Sequence, residues 1–145
     1  MAKINCEIKN VSCIAFSPDG SLLAAGGGHA MGRPGSNSPI LGAVSVWRTT
    51  DWSACFFRES PGYVDLVGFY GVKNWLVACR YWGEVDIHDV ESGSLLGKMD
   101  PKIKGLGLIP VLSMSLDGSL LLGYGKRGSW IDPPFKLWEL SDTSR

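Results

Sequence analysis

The 145-residue chain lacks most of the markers that declare a chemistry or an address. Its 14 Lys and Arg are balanced by 14 Asp and Glu. There is thus no cationic excess to release counterions from nucleic acid or to hold an anionic membrane, which argues against both as partners. No run of about 18 apolar residues could span a bilayer. Met1 to Asn10 alternates polar and apolar residues, without the apolar stretch or small-residue cleavage site of a secretory signal. Cys6, Cys13, Cys55 and Cys79 are scattered, with no C-x-x-C pair and no Cys/His cluster at ligand spacing, so neither a metal site nor a redox motif is indicated. The pattern predicts reduced, mostly buried thiols acting as small apolar side chains, and hence a cytoplasmic address. Helices are missing too: nothing long enough keeps a 3.6-residue period without Gly or Pro intervening.

Glycine (19 residues) and apolar side chains (45%) are plentiful, and they are organised by internal repetition. Ser17-Pro18-Asp19-Gly20-Ser21-Leu22-Leu23 returns as Ser115-Leu116-Asp117-Gly118-Ser119-Leu120-Leu121. Each copy follows an extended apolar segment, Val11 to Phe16 and Ile109 to Met114. The Asp-Gly pair suits a tight hairpin, so each copy reads as strand, turn, strand. A divergent copy lies between them: Val64 to Phe69, the turn Gly71-Val72-Lys73-Asn74, then Trp75 to Cys79. A third strand follows in every copy, at Val44 to Trp47, Val85 to His88 and Phe135 to Trp138. A fourth follows in the first two, at Trp52 to Phe57 and Ser94 to Met99. Many of these strands are apolar on both faces, as strands of a sheet sandwiched between neighbours must be.

The recurrence from Val11 to Val64 to Ile109 is close to the period of a four-stranded propeller blade. Phe16-Ser17-Pro18-Asp19-Gly20, Val44 to Trp47 and Phe135 to Trp138 resemble the WD-repeat family of β-propellers, and the resemblance covers nearly the whole chain. It implies an all-β fold of three four-stranded antiparallel blades. The family's Trp-Asp pair is Trp47-Arg48, His88-Asp89 and Trp138-Glu139 here, and no Gly-His pair precedes a first strand. No functional residue is therefore carried over from the family.

The third copy ends before a fourth strand. The opening segment Lys3 to Lys9, apolar at Ile4, Cys6 and Ile8, has the pattern of a half-solvated outer strand. These defects complement each other. Residues 1–9 are expected to complete a neighbouring copy's blade, with blade 1 at 10–58, blade 2 at 59–100 and three strands of blade 3 at 101–145. Ile4, Cys6, Ile8, Phe135 and Leu137 would be the closure residues. Three blades do not close, since propellers have about 4 to 8, and an isolated wedge would expose large apolar faces. The expected assembly is a six-bladed ring made by homodimerisation, with a nine-bladed homotrimer as the alternative. A piece of a longer propeller is the competing expectation, disfavoured by an initiating Met followed directly by a strand.

Excess length is concentrated between second and third strands. In the family these connections open on the same face as those joining blades, and loops on a rigid scaffold usually carry function. The first connection, read as starting at Gly26 and containing His29 and Arg33, has no G-x-x-x-x-G-K-[ST] and no following helix to hold a phosphate. Neither a Ser nor a Cys nucleophile with an orienting acid can be tied to His29, so no catalytic residue is expected. Arg80, Tyr81 and Trp82 in the second connection, with Lys126, Arg127 and Trp130 in the third, would line that face with cations and rings. Such a lining suits carboxylates, sugars, peptides or single-stranded bases. A plainer reading has Trp82 and Trp130 plugging seams between blades. His88, in the family's Trp position, is expected in the core. Asp65 and Asp86 are expected to satisfy neighbouring backbone groups. Two functions follow: a non-enzymatic, homo-oligomeric scaffold for a protein or peptide, or a small-ligand or glycan binder using the loop-bearing face. Neither calls for a cofactor.

Overall fold

The computed structural model describes residues 1, 3–30, 41–70, 74–80, 84–99, 111–117, 119–124 and 135–139, with the backbone alone at 29, 30, 99, 111, 112, 121–124 and 135–138. Every regular element among them is a β-strand: β1 (Asn10–Phe16), β2 (Leu22–Ala30), β3 (Leu41–Arg48), β4 (Ala54–Ser60), β5 (Val64–Tyr70), β6 (Trp75–Arg80), β7 (Val85–Asp89), β8 (Leu95–Met99), β9 (Val111–Met114), β10 (Leu120–Tyr124) and β11 (Phe135–Glu139). They form antiparallel sheets in the orders β1-β2-β3-β4, β5-β6-β7-β8 and β9-β10-β11. Within each sheet, every strand pairs with the next in sequence.

The repeated Ser-x-Asp-Gly-Ser stretch makes these hairpins for a physical reason. Gly20 takes φ +73°, a left-handed conformation costly for other residues, and its N–H donates to the Ser17 carbonyl at 2.8 Å. The Asp19 carboxylate accepts from Ser17 Oγ at 2.7 Å, Ser21 N at 2.9 Å and Ser21 Oγ at 2.7 Å. Asp117 repeats the arrangement with Ser115 and Ser119 at 2.6, 3.0 and 2.8 Å. The hydrogen bond from the first serine, then those from the second, hold both carboxyls down at a pKa of about 2.

Sheets 1 and 2 pack face to face over one apolar layer. Ala24, Val44, Val46 and Phe56 of blade 1 meet Val64, Val67, Phe69, Leu76, Ala78 and Val90 of blade 2. A second layer on the far side of blade 2 gathers Leu66, Val77, Cys79, Val85 and Met114. Both faces of the middle sheet are thus apolar, as its strand composition requires.

Two expectations are corrected. The glycines Gly26, Gly27 and Gly28 belong to β2 and not to the loop that follows. They are glycines because of what lies over them: Val64 and Val67 over Gly26, the Asn10 carbonyl beside Gly27, and the Tyr63 ring over Gly28. The fourth strand of blade 1 starts at Ala54, because Trp52 sits in the turn at φ +60° with its N–H on the Arg48 carbonyl at 2.9 Å. The opening segment, expected to close a neighbouring copy's blade, is in no sheet of its own chain at residues 3–8. Ile8 is buried and, with Ile4, packs on Ala25, Ala43, Trp47, Leu23 and Phe57 of blade 1.

Candidate interaction surfaces

Arg80 was expected to offer a cation on the rim; instead its side chain is only 7% exposed. Its Nε lies 3.0 Å from Asp86 Oδ2, its Nη2 donates to Asp86 Oδ1 at 3.3 Å, and Glu84 closes on the same guanidinium. Asp86 is therefore paired with a side chain, where neighbouring backbone groups were expected. Both carboxylates lie against the one guanidinium, so the Arg80 charge is directed at its own chain and not offered on the rim. His29 lies on β2, and Phe135 and Leu137 on β11. Arg33, Tyr81, Trp82, Lys126, Arg127 and Trp130 fall outside the described residues. The cation-and-ring rim is thus not assembled by anything described.

Asp65 lies at the β5 bulge between Val64 and Leu66. Its Oδ2 is buried without a hydrogen-bond partner, and burial raises its pKa. The thiols differ from the expected burial: Cys6 is exposed, Cys13 and Cys55 are half-buried, and Cys79 alone is fully buried. All four are free, and burial pushes the Cys79 thiol up to about 12. Among the described residues no three His, Cys, Asp or Glu side chains converge as a metal site, and no helix is long and apolar enough to cross a membrane.

The outer rim of the blade 1–blade 2 seam is closed around Gly93. Its carbonyl accepts from Arg58 Nε at 3.1 Å and lies 3.3 Å from His88 Nδ1. Phe56 covers Gly93 and stacks on His88 with ring centres 6.3 Å apart. His88 is buried, in the core position anticipated for it. Alongside runs an open groove of about 260 Å³ lined by Leu22, Arg48, Cys55, Asn74, Val90 and Glu91, among others.

Burial lowers the His88 pKa below 6.5, the Gly93 carbonyl and Asp86 oppose the shift, and Arg58 adds to it. The unfolded chain therefore takes up this proton first, and stability carried by neutral His88 is complete above pH 6.5 and drains as pH falls below it. Asp19 and Asp117 contribute above pH 3.8 and lose that contribution as pH falls towards about 2. Melting temperature followed from pH 8 to 2 is expected to fall in two stages. His88→Gln should flatten the first and leave the second; an unchanged first stage would remove His88 as its cause.

The other face of blade 1 is open: Ile14 and Phe16 stand 67% and 58% exposed on it. Large apolar side chains side by side on a sheet face are the mark of a surface that another body covers. Sequence reasoning anticipated such faces from strand composition but not which residues the N-terminal segment would leave uncovered.

No family model matches the chain. The chain is similar to the rice (Oryza sativa subsp. japonica) protein named "Small ribosomal subunit protein RACK1y". The two are 24% identical, over 94% of this chain and 39% of that protein. Among solved structures, a chain in the "Crystal Structure of Mitotic Checkpoint Complex" superposes with a TM-score of 0.61 at 18% identity, over 90% of this chain and 35% of that one. The chain therefore spans well under half the length of the proteins it matches. Sheets of sequential antiparallel strands, packed face to face and repeating with the Ser-x-Asp-Gly-Ser hairpin, give it the fold of a WD-repeat-like β-propeller.

Proposed function

We propose that the chain is a non-enzymatic, cytoplasmic scaffold that contributes three blades to a propeller and presents the loop-bearing face to a protein or peptide. Copies of the chain complete the ring, as a six-bladed homodimer or, as the alternative, a nine-bladed homotrimer. The division used is residues 1–9 for the closing segment, then 10–58, 59–100 and 101–145 for the blades. One observation carries this reading: the open apolar face of blade 1 at Ile14 and Phe16. The similar proteins, one named as a ribosomal-subunit protein and one a chain of a multi-protein complex, support a role within assemblies. Arg80, paired inward, does not serve the small-ligand alternative.

The expected result of native mass measurement is a species at twice or three times the 15.7 kDa chain mass. Affinity enrichment should return a protein whose recovery falls when residues 31–40 are replaced by a Gly/Ser linker. A stable species at chain mass would overturn the ring. Recovery indifferent to every loop on that face would overturn the docking role.

A further inference from the structure

The repeat allows two sheet faces to be compared residue by residue. In blade 1, Ile14 pairs with Ala25 and Phe16 with Leu23; in blade 2, Val67 pairs with Ala78 and Phe69 with Leu76. The register is the same and the residue types match. Yet Val67 and Phe69 are 3% and 6% exposed beneath blade 1, whereas Ile14 and Phe16 are 67% and 58% exposed. Blade 1 thus carries, uncovered, the face that on blade 2 receives the preceding blade.

The outer part of that face is already occupied. Ile4 and Ile8 pack against Trp47, Ala25 and Ala43. On blade 2 the corresponding cover comes from β4, whose Phe56 stacks on His88. His88 pairs with Leu76 as Trp47 pairs with Leu23. Residues 4–8 therefore lie over blade 1 as an outer strand of the preceding blade lies over blade 2, but their backbone is in no sheet. The sheet β9-β10-β11 has the reverse defect: among the described residues it ends at β11, where the other two sheets have a fourth strand. Met114 of β9 sits over Gly68 of blade 2. By register, positions 113, 122 and 137, with 120 and 139, fall on the opposite side of that sheet, and Leu120 there is exposed.

We propose that these open features are the two halves of one seam between copies of this chain. The Leu120-bearing side of β9–β11 of one copy packs on Ile14, Phe16 and Leu23 of the next. Residues 4–8 of that next copy pair along the β11 edge as its fourth strand. The assignment rests on the ring reading above and specifies how the ring is joined. Ile4 and Ile8 anchor the closing strand to its own blade 1 before the neighbour arrives, so little ordering remains to be done on association. Its main-chain N–H and C=O groups are left for β11, the usual currency of strand addition to a sheet edge. The contact is head to tail, and identical seams repeat until the ring closes.

Sedimentation and native mass of the full chain, with two variants, test this. Phe16→Glu puts a charge into the seam at a position exposed in the single chain. Asn5→Pro removes a main-chain donor from the closing strand while leaving Ile4 and Ile8 in place. The parent is expected at a multiple of 15.7 kDa. Phe16→Glu is expected at chain mass with its β signal retained. Asn5→Pro should dissociate at about 10- to 100-fold higher concentration, with Trp47 emission unchanged. An oligomeric parent whose mass neither variant alters overturns the seam and leaves the ring standing. Loss on Phe16→Glu alone overturns the strand pairing. A parent at chain mass overturns seam and ring together.

Discussion

Replacing Arg80 with alanine is expected to cost about 3–5 kcal/mol of unfolding free energy, because it strands the Asp86 carboxylate in an apolar setting. A domain of this size has about 5–15 kcal/mol in total, so the loss is a large share of what holds the chain folded. Asp86 is 6% exposed, accepts a hydrogen bond from Arg80 Nη2 and lies 3.0 Å from Arg80 Nε in an ion pair that is not a hydrogen bond. Register puts it opposite Ala78, on the face of blade 2 that packs on blade 1, where Val64, Leu76 and Ala78 are buried. The mutual attraction of the pair mainly offsets its own desolvation, so replacing both partners by apolar residues should be far milder than removing one. Arg80→Met with Asp86→Leu is accordingly expected to recover most of the loss. Denaturant midpoints of the three proteins decide it. A fall below about 1 kcal/mol for Arg80→Ala would mean that water reaches the pair, as at an exposed ion pair.

That pair also shows where sequence reasoning stops. Arg80 beside Tyr81 and Trp82 has the composition of a binding rim, and nothing local reveals that a carboxylate six residues on lies across a hairpin from it. The blades were legible because their signals are local: Asp-Gly turns recur, and apolar alternation survives divergence. The strand at Gly26, Gly27 and Gly28 was not, because residues without side chains have no periodicity, and their role is set by Tyr63 and Val64 arriving from another blade. Alternation at Ile4, Cys6 and Ile8 is ambiguous in a different way. It marks an outer strand but not which sheet that strand joins, and Ile4 and Ile8 lie on blade 1 without entering its sheet. Trp52 escaped because a bulky residue in a left-handed turn is held there by hydrogen bonding around Asp51 and Ser53, against its own preference.

Gly42→Ala is expected to destabilise by about 2–4 kcal/mol, the upper range for overpacking. Gly42 opens β3, and the space its methyl would take is held by the main-chain carbonyl of Gly62, with the Gly27 carbonyl 2.9 Å from the same point. Neither can swing aside as a side chain would. Relief requires moving the connection 61–63, which joins blade 1 to blade 2 and lays Tyr63 over Gly28. Two other glycines calibrate the effect. At Gly28 a methyl meets the Tyr63 ring, a side chain able to rotate, so Gly28→Ala should cost less. At Gly97 nothing lies within 4 Å, so Gly97→Ala should stay within about 0.5 kcal/mol of the parent. Equal midpoints for the three variants would refute the backbone contact. Because the same connection sets how blade 1 sits on blade 2, Gly42→Ala should also weaken ring closure under conditions where the chain remains folded. A seam that must match its neighbour over two strands and an edge tolerates little change in the angle between its blades.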